Sequence, residues 1–239
     1  MSEKKQFYIG ISELSVRMNA SYEFVRHRCH DYIIPPKADF DIDAYADEDE
    51  IAREMAAYDA PHAADYCESL CLYRAIAERL PKFSRFVFHG AAVTIGKKGF
   101  IFTAPSGTGK TTHIDLLMKN YPDEVKIVNG DKPIIHVSDR GARVCSTPWA
   151  GKEDMQRNTI AELGGICLLK RGKTNAIQRI DPARYFAEIM AQVYIPKDAS
   201  ARLLTLDLLD KLSKNIPFYL LECNVSNEAA KTSFEELIK

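Results

Sequence analysis

The alternation of apolar and polar positions predicts a chain in which strands and helices are mixed. Residues 6–45 are β-rich, and within them 38–45 alternates with a period of two, which is typical of a strand with one solvated face. A helix is predicted to begin near Asp47, because acidic residues fill its first turn. A longer helix, with apolar residues at helical spacing, is predicted from 63 to 80 and ends at Pro81.

The second part of the chain opens with an apolar strand over 86–95, a hairpin turn over 96–99 and another strand from Phe100. Further strands are predicted over 125–128, 134–137, 142–145, 164–169, 176–180 and 217–223, and helices over 113–119, 182–194, 199–213 and from 227 onward. Together these elements predict an α/β fold with a mixed sheet.

The chain shows no internal repeat, low-complexity tract or long linker. A plausible division lies near 82–85, which separates an N-terminal β/α lobe over 1–84 from a core over 85–239. With 239 residues, the chain is long enough for one large or two small domains, each with a hydrophobic core.

Composition indicates an ordinary globular protein, with 46% hydrophobic and 27% charged residues. The formal net charge of −1 removes any global electrostatic argument for nucleic acid or for an anionic membrane as a partner. No apolar run reaches the length of a transmembrane helix, and the first residues lack the apolar segment of a secretory signal. We therefore expect a cytoplasmic protein without a membrane partner. The oligomeric state stays open, and a homo-oligomer is included among the alternatives.

The six cysteines form no C-x-x-C pair and several lie in apolar runs, which favours buried thiols in a reducing compartment. Cys67 and Cys71 lie on one face of a predicted helix, where a metal site would need further ligands, so core packing is the preferred interpretation. His27, Cys29 and His30 are close in sequence. If they belong to a strand, His30 points away from the other two, and no metal site is expected.

The strongest chemical signal lies in 104–112, with the sequence APSGTGKTT, between the strand from Phe100 and the helix over 113–119. Glycines allow backbone N–H groups to close around phosphate oxygens, and the helix N-terminus adds a dipole that favours an anion. Lys110 supplies a positive charge for the β- and γ-phosphates, and the Thr111 hydroxyl is a Mg²⁺ ligand in this kind of motif. We therefore expect nucleotide to be bound by Ser106, Gly107, Thr108, Gly109, Lys110, Thr111 and Thr112.

One position departs from the usual phosphate-binding pattern, which begins with Gly where this chain has Ala104. Alanine is accepted there if the turn does not need a positive φ. The alternative interpretation is an ordinary glycine-rich turn. The apolar strand before the segment and the helix after it favour nucleotide binding.

Two residues outside this segment are candidates for chemistry. Asp131 follows the apolar strand over 125–128, where a carboxylate can hold Mg²⁺ or accept a proton from an attacking hydroxyl. The alternative is a turn residue in Asn-Gly-Asp, which is common. His89 is predicted to end a strand that pairs with the strand from Phe100. A lone His at a strand end is more often structural, and its placement beside the glycine-rich segment is what makes it a candidate.

Four ordered motifs carry a family resemblance: FHGAAV over 88–93, APSGTGKTT over 104–112, VNGDK over 128–132 and TPWAGK over 147–152. With these motifs, residues 85–223 resemble the HPr kinase/phosphoenolpyruvate carboxykinase-like superfamily, and most of all its branch of short HPr-kinase-like proteins. The resemblance implies a P-loop kinase core with a mixed sheet, preceded by a smaller N-terminal β/α segment, and ATP and Mg²⁺ as cofactors.

The resemblance also implies roles for individual residues. His89 would lie at the metal and the transferred phosphate, and Asp131 would be the base or a metal ligand alongside Thr111. In the superfamily a pair of acidic residues follows the strand after the phosphate loop. At the corresponding place this chain has Gly130 and Asp131, and therefore a single carboxylate.

The TPWAGK loop is typical of the short branch. Lys152 is a candidate catalytic cation that would face the phosphates or the acceptor, with Glu153 as its alternative in the same loop. Trp149 is equally well a packing residue. Arg157 and Arg171 are candidate stabilisers of negative charge.

The leading hypothesis is an ATP- and Mg²⁺-dependent kinase that phosphorylates a hydroxyl of a small molecule, or of Ser/Thr in a peptide or protein. HPr and oxaloacetate are not carried over as substrates, because this chain lacks the glycine-rich signature of bifunctional HPr kinase and the substrate arginines of the carboxykinases. A nucleotide-sensing regulatory module without phosphoryl transfer is the alternative, favoured by Ala104 and Gly130. A carboxykinase-like metabolic enzyme is a weaker one.

Overall fold

The N-terminal part of the chain forms a small sheet packed against helices. The computed structural model describes residues 5–57 and 63–239. The elements of the first part are β1 (Lys5–Ile11), β2 (Leu14–Ala20), α1 (Glu23–Arg28), β3 (Ile33–Ile34), β4 (Ile42–Tyr45), α2 (Glu48–Ala56) and α3 (Ala64–Ala77). Within the described residues the strand order is β3-β1-β2-β4, with β1 and β2 antiparallel and β2 and β4 parallel.

The predicted β-rich character of residues 6–45 is confirmed in part. Residues 23–28 form α1 and residues 30–32 form a 3₁₀ turn, and the strand predicted over 38–45 begins only at Ile42. This short helix has Glu23 in its first turn and a basic last turn, both of which suit the helix dipole. The strand argument that separated His27 from His30 is therefore wrong, and their rings lie 5.7 Å apart. In the described ranges, however, no three His, Cys, Asp or Glu side chains gather as a metal-binding group.

The two N-terminal helices are confirmed with small changes at their ends. A capping box starts α2, in which the Asp47 carboxylate accepts from the Glu50 N–H at 2.6 Å and Glu50 accepts from the Asp47 N–H at 3.2 Å. The helix α3 ends at Ala77 and is followed by a 3₁₀ turn that contains Pro81. All six cysteine side chains are buried, as expected for core thiols.

The second part of the chain builds a mixed sheet. Its strands are β5 (Arg85–Val87), β6 (Ala91–Ile95), β7 (Lys98–Thr103), β8 (Val125–Asn129), β9 (Ile134–Ser138), β10 (Gly141–Cys145), β11 (Ile160–Arg171), β12 (Ala176–Ile180) and β13 (Phe218–Cys223), and its helices are α4 (Lys110–Asn120), α5 (Phe186–Met190), α6 (Ala199–Asn215) and α7 (Asn227–Leu237). The strand order is β5-β9-β10-β11-β7-β6-β8, with β13 beside β11 and β12 beside β13. The expected α/β fold with a mixed sheet is confirmed.

The predicted single strand over 86–95 is wrong, because it is two strands in different places of the sheet. β5 pairs with β9, whereas β6 lies between β7 and β8. Between them the backbone N–H of His89 donates to Gln192 at 2.7 Å and that of Gly90 donates to Asp131 at 3.0 Å. These bonds break the strand, so His89 stands before β6 instead of ending a strand.

The helix predicted over 182–194 is also wrong in its extent. A 3₁₀ turn over Pro182–Tyr185 precedes the short α5. The chain beyond α5 pairs with the end of β5 and the residue after it. The Tyr194 backbone N–H donates to the Val87 carbonyl at 3.0 Å, and Phe88 forms an antiparallel bridge with Val193. Backbone pairing with this neighbour replaces the helical bonds that the sequence spacing predicted.

Hydrophobic packing joins the two sheets. One core cluster contains β1, β2 and α3 residues together with Val87, Ile134, Cys145 and Trp149 from the second part. Two further clusters occupy the faces of the second sheet, one beneath α6 and the other beneath α4 and α7. The division near 82–85 stays a prediction. None of the helices over 5–57 and 63–239 has the length and apolar character needed to cross a bilayer.

The sheet directions bring three connections to one edge. β6 is antiparallel to both β7 and β8, so the ends of β7 and β8 and the beginning of β6 lie on the same side. The loop after β7, the turn after β8 and His89 are gathered there.

Candidate functional site

The loop between β7 and α4, residues 104–109 (the glycine loop), has the backbone conformation that its sequence predicts. Gly107 has φ +75° and Gly109, the N-cap of α4, has φ +116°. Open space surrounds the Cβ position at both, so the left-handed backbone and not crowding requires glycine. Ala104 has no positive φ and is buried beneath α4. The condition for alanine at this position is met.

The carbonyl groups of the glycine loop are held from one side by the end of β11. Arg171 donates to the Thr108 carbonyl at 3.1 Å and to the Gly107 carbonyl at 2.5 Å. The Thr108 hydroxyl donates to the Pro105 carbonyl at 2.8 Å. The first turn of α4 receives no side-chain cap at Gly109. Arg171 therefore shapes the loop, and the N-terminus of α4 is left without a side-chain cap, which is the kind of helix end at which anions bind.

Lys110 is folded over the start of the glycine loop. Its Nζ donates to the Ala104 carbonyl at 2.8 Å. Burial lowers the pKa of Lys110, and the nearby Asp131 carboxylate opposes that effect. The ammonium and the Asp131 carboxylate therefore act on each other electrostatically across the site.

The turn after β8 is built on a fully buried asparagine, which sequence reasoning did not assign to the site. The Asn129 Oδ1 accepts from the N–H groups of Asp131 at 3.0 Å and Lys132 at 2.8 Å. Its Nδ2 donates to the Thr147 carbonyl at 2.9 Å. This Asx-type turn fixes the direction in which Asp131 leaves the strand. The Asn-Gly-Asp sequence was the signal that could have identified it.

Asp131 is the centre of a small charged group. His89 Nε2 lies 3.1 Å from its Oδ1, and Lys132 Nζ lies 2.8 Å from its Oδ2. Burial acts to raise the pKa of Asp131, but the His89 hydrogen bond and the Lys132 charge outweigh it, so the pKa is lowered. The carboxylate is ionised at neutral pH. His89 is positioned in turn by Thr103, whose hydroxyl donates to its carbonyl at 2.8 Å.

The TPWAGK loop is tied to both parts of the chain. The Thr147 hydroxyl donates to the Lys132 carbonyl at 2.9 Å. The Trp149 indole N–H donates to the Ser69 carbonyl and hydroxyl of α3, at 3.2 and 3.1 Å. The Trp149 side chain is buried against Tyr73. These contacts favour the packing interpretation of Trp149, which anchors the loop on the N-terminal helix.

Two glycines allow this loop to lie close to Asp131, because they have no side chain. A Cβ at Gly130 would lie 2.7 Å from the Ala150 carbonyl oxygen, too close to be accommodated unless the loop moves. Gly151 has φ +84°, and a Cβ there would lie 3.1 Å from the Asp131 Cβ. A second acid at position 130 is therefore incompatible with the loop in this place, which gives the missing carboxylate a steric reason.

A cleft of about 760 Å³ brings most of the predicted site residues together. The predicted site residues that line this cleft are His89, Ser106, Gly107, Gly109, Lys110, Thr111, Thr112, Asp131, Lys152 and Glu153. Lys152 and Glu153 are exposed at its rim. Thr108 lines a smaller neighbouring cavity with Arg171 instead. Arg157 lines neither cavity.

The N-terminal part contributes a wall of this cleft that sequence reasoning missed. It consists of Arg28 from the end of α1 and Tyr66, Leu70 and Tyr73 from α3. No local sequence signal identifies these residues, because α1 was not predicted and the packing of α3 against the TPWAGK loop is a long-range event.

The similarity of this chain to known proteins is distant. No protein-family model and no curated protein matches it. Among solved structures, it is similar to the Hpr(Ser) kinase/phosphatase from Coxiella burnetii, with a TM-score of 0.39 and 11% sequence identity. That match covers 62% of this chain and 86% of the other. A similarity of this size supports no argument about activity. Any argument about activity must come from the residues of the cleft.

Proposed function

We propose that this protein is an ATP- and Mg²⁺-dependent kinase that transfers the γ-phosphoryl group to a hydroxyl of its acceptor. One observation carries the proposal: a glycine loop with Lys110 shares a cleft with an ionised carboxylate, Asp131, that is paired with His89. An anion cradle next to an oriented carboxylate is the arrangement that hydroxyl phosphorylation needs.

The nucleotide phosphates would be held by the glycine loop and the beginning of α4. The N–H groups of the loop and the uncapped first turn bind phosphate oxygens. Lys110, now donating to the Ala104 carbonyl, would turn to the β- and γ-phosphates. Ser106, Thr111 and Thr112 line the same cleft and complete the P-loop kinase interpretation.

The residues present fit a magnesium ion. Mg²⁺ prefers oxygen ligands and is usually held by one or two carboxylates together with phosphates and waters. Thr111 and Asp131 supply that donor set. His89 has its Nε2 against Asp131, so any metal contact by this residue would use Nδ1. When bound with ATP, the ion would neutralise charge on the transferred phosphoryl group.

Asp131 would orient the acceptor hydroxyl and receive its proton. His89 and Lys132 hold both oxygens of the carboxylate in place. A lowered pKa makes Asp131 a weak base, which suits a loose phosphoryl-transfer transition state that needs positioning more than proton abstraction. Lys152 lies at the rim, within the same cleft, as a candidate cation for the phosphates or acceptor.

The second candidate is a nucleotide-sensing module that transfers no phosphate. The observation that favours it is the steric exclusion of a second acid at Gly130. Such a module would bind ATP in the glycine loop and change its contact with a partner.

The deciding experiment is incubation with γ-labelled ATP and Mg²⁺ in the presence of fractionated metabolites, peptides and proteins. The kinase predicts a phosphorylated acceptor, identified by its mass shift, that disappears with Lys110→Ala. ATP binding without label transfer to any fraction would favour the module. Release of carbon dioxide from an oxo acid would instead identify a carboxykinase-like enzyme.

A further inference from the structure

Arg28 stands apart from the other partly buried cations of the cleft because its guanidinium has no hydrogen-bond acceptor among the described residues. Its side chain is only 19% exposed, and its Nε is buried without a partner. The nearest carboxylate oxygen, Oδ1 of Asp154, lies 3.9 Å from Nη1, beyond hydrogen-bond distance. The guanidinium packs over the Phe24 ring at 5.1 Å, which holds its direction.

The other partly buried cations of the cleft are already satisfied. Lys110 donates to the Ala104 carbonyl, and Lys132 pairs with the Asp131 carboxylate. Buried polar groups are nearly always hydrogen-bonded, and a largely covered cation without an acceptor is costly. A ligand that brings an oxyanion to Arg28 would remove that cost.

The surroundings of Arg28 distinguish an acceptor from the nucleotide. The phosphates have their own cradle in the glycine loop and Lys110. Arg28 belongs to α1, and its neighbours on the same wall are Tyr66, Leu70 and Tyr73, which offer an apolar surface for a carbon skeleton. A guanidinium beside such a surface is suited to a small anion, because its planar fork binds a carboxylate or phosphate through two parallel hydrogen bonds.

Resting on the kinase function proposed above, we propose that Arg28 binds a carboxylate or phosphate group of the acceptor, so that the substrates are small hydroxylated anions. Arg28 is then a specificity-determining residue, and the phosphorylated hydroxyl is the one that the bound anion places at Asp131. The wall of α1 and α3 makes the N-terminal part of the chain the acceptor-binding element.

The test is a transfer assay with γ-labelled ATP on a panel in which each skeleton is present as a carboxylate, a phosphate ester and a neutral alcohol, for example glycerate, glycerol 3-phosphate and glycerol. Label is expected in anionic compounds only, and the two anionic arms distinguish carboxylate from phosphate. Arg28→Gln should raise the acceptor KM about tenfold or more, with partial rescue by Arg28→Lys. Nucleotide binding should be unchanged.

Arg26→Gln is the matched control, because Arg26 lies on the same helix, is exposed and does not line the cleft. Equal transfer to neutral compounds, transfer only to Ser/Thr peptides, or an unchanged acceptor KM in Arg28→Gln would each overturn the inference while the kinase function stands. Weakened ATP binding in Arg28→Gln with an unaltered acceptor KM would also overturn it. ATP binding without transfer to any compound would count against the kinase function itself, and this inference would fall with it.

Discussion

The Nε2 atom of His89 lies 3.1 Å from Oδ1 of Asp131, on the side of that carboxylate away from the Lys132 ammonium at Oδ2. The two residues come from different connections: His89 lies between β5 and β6, and Asp131 lies in the turn after β8. The backbone also joins the two connections, because the N–H of Gly90, the residue after His89, donates to the Asp131 carbonyl at 3.0 Å. The pair is therefore held by the sheet edge itself and faces the glycine loop.

Replacing Asp131 with Asn should reduce phosphoryl transfer by about 10²–10⁴-fold, because the amide cannot accept the hydroxyl proton or hold a cation as well. The Asn129 turn and the shape of the side chain are preserved, so nucleotide affinity should change only modestly. Single-turnover kinetics and a nucleotide titration measure the two effects separately. A variant with a near-native rate would remove Asp131 from the chemistry.

The free energy of unfolding should depend on the charge of Asp131. Because its pKa is lowered in the folded state, its ionised form stabilises the protein at pH values above the usual Asp range, near 4. The excess stability of the wild type over Asp131→Asn should therefore be constant at neutral pH and decline as pH falls through the folded-state pKa. Urea unfolding across this range measures it. An excess that grows on acidification would mean that burial dominates the pKa of Asp131.

Lys110→Ala should abolish most phosphoryl transfer, by about 10²-fold or more, since a charge that stabilises the transferred group is lost. The fold should survive, because among the described residues the hydrogen bond of the ammonium is to a single acceptor, the Ala104 carbonyl. The matched control is Lys119→Ala, an exposed position near the end of the same helix. Transfer assays with circular dichroism check both variants. Equal turnover in the two would contradict the role of Lys110.

Gly130→Asp restores the expected acidic pair in sequence but should damage the site. Its Cβ would lie 2.7 Å from the Ala150 carbonyl, so the TPWAGK loop must shift, at a cost of about 1–3 kcal/mol. Gly130→Ala should cost a similar amount, since the clash begins at Cβ. Urea unfolding gives both values, and transfer rates show whether the loop still serves Asp131. A stable and faster Gly130→Asp variant would show that the loop yields easily.

Much of the fold was accessible from local patterns. The glycine loop was predictable because Gly107 and Gly109 follow an apolar strand and precede a helix, and short-range backbone geometry decides such a motif. The helix beginning at Asp47 was predictable for a similar reason, since a capping box involves residues of a single turn. The break at His89 was not, because backbone bonds to Gln192 and Asp131 override the strand pattern there.

The residue types of the proposed chemistry can be identified along the chain: a glycine-rich loop, a lysine and threonine that follow it, a carboxylate after a strand and a histidine nearby. The tertiary structure alone decided how they meet. It placed His89 against Asp131, excluded a side chain at Gly130, anchored Trp149 on α3 and brought Arg28 into the cleft with no hydrogen-bond acceptor among the described residues. Each of these depends on contacts between residues far apart in the chain, whose distances follow from the packing of the whole protein and not from any local spacing.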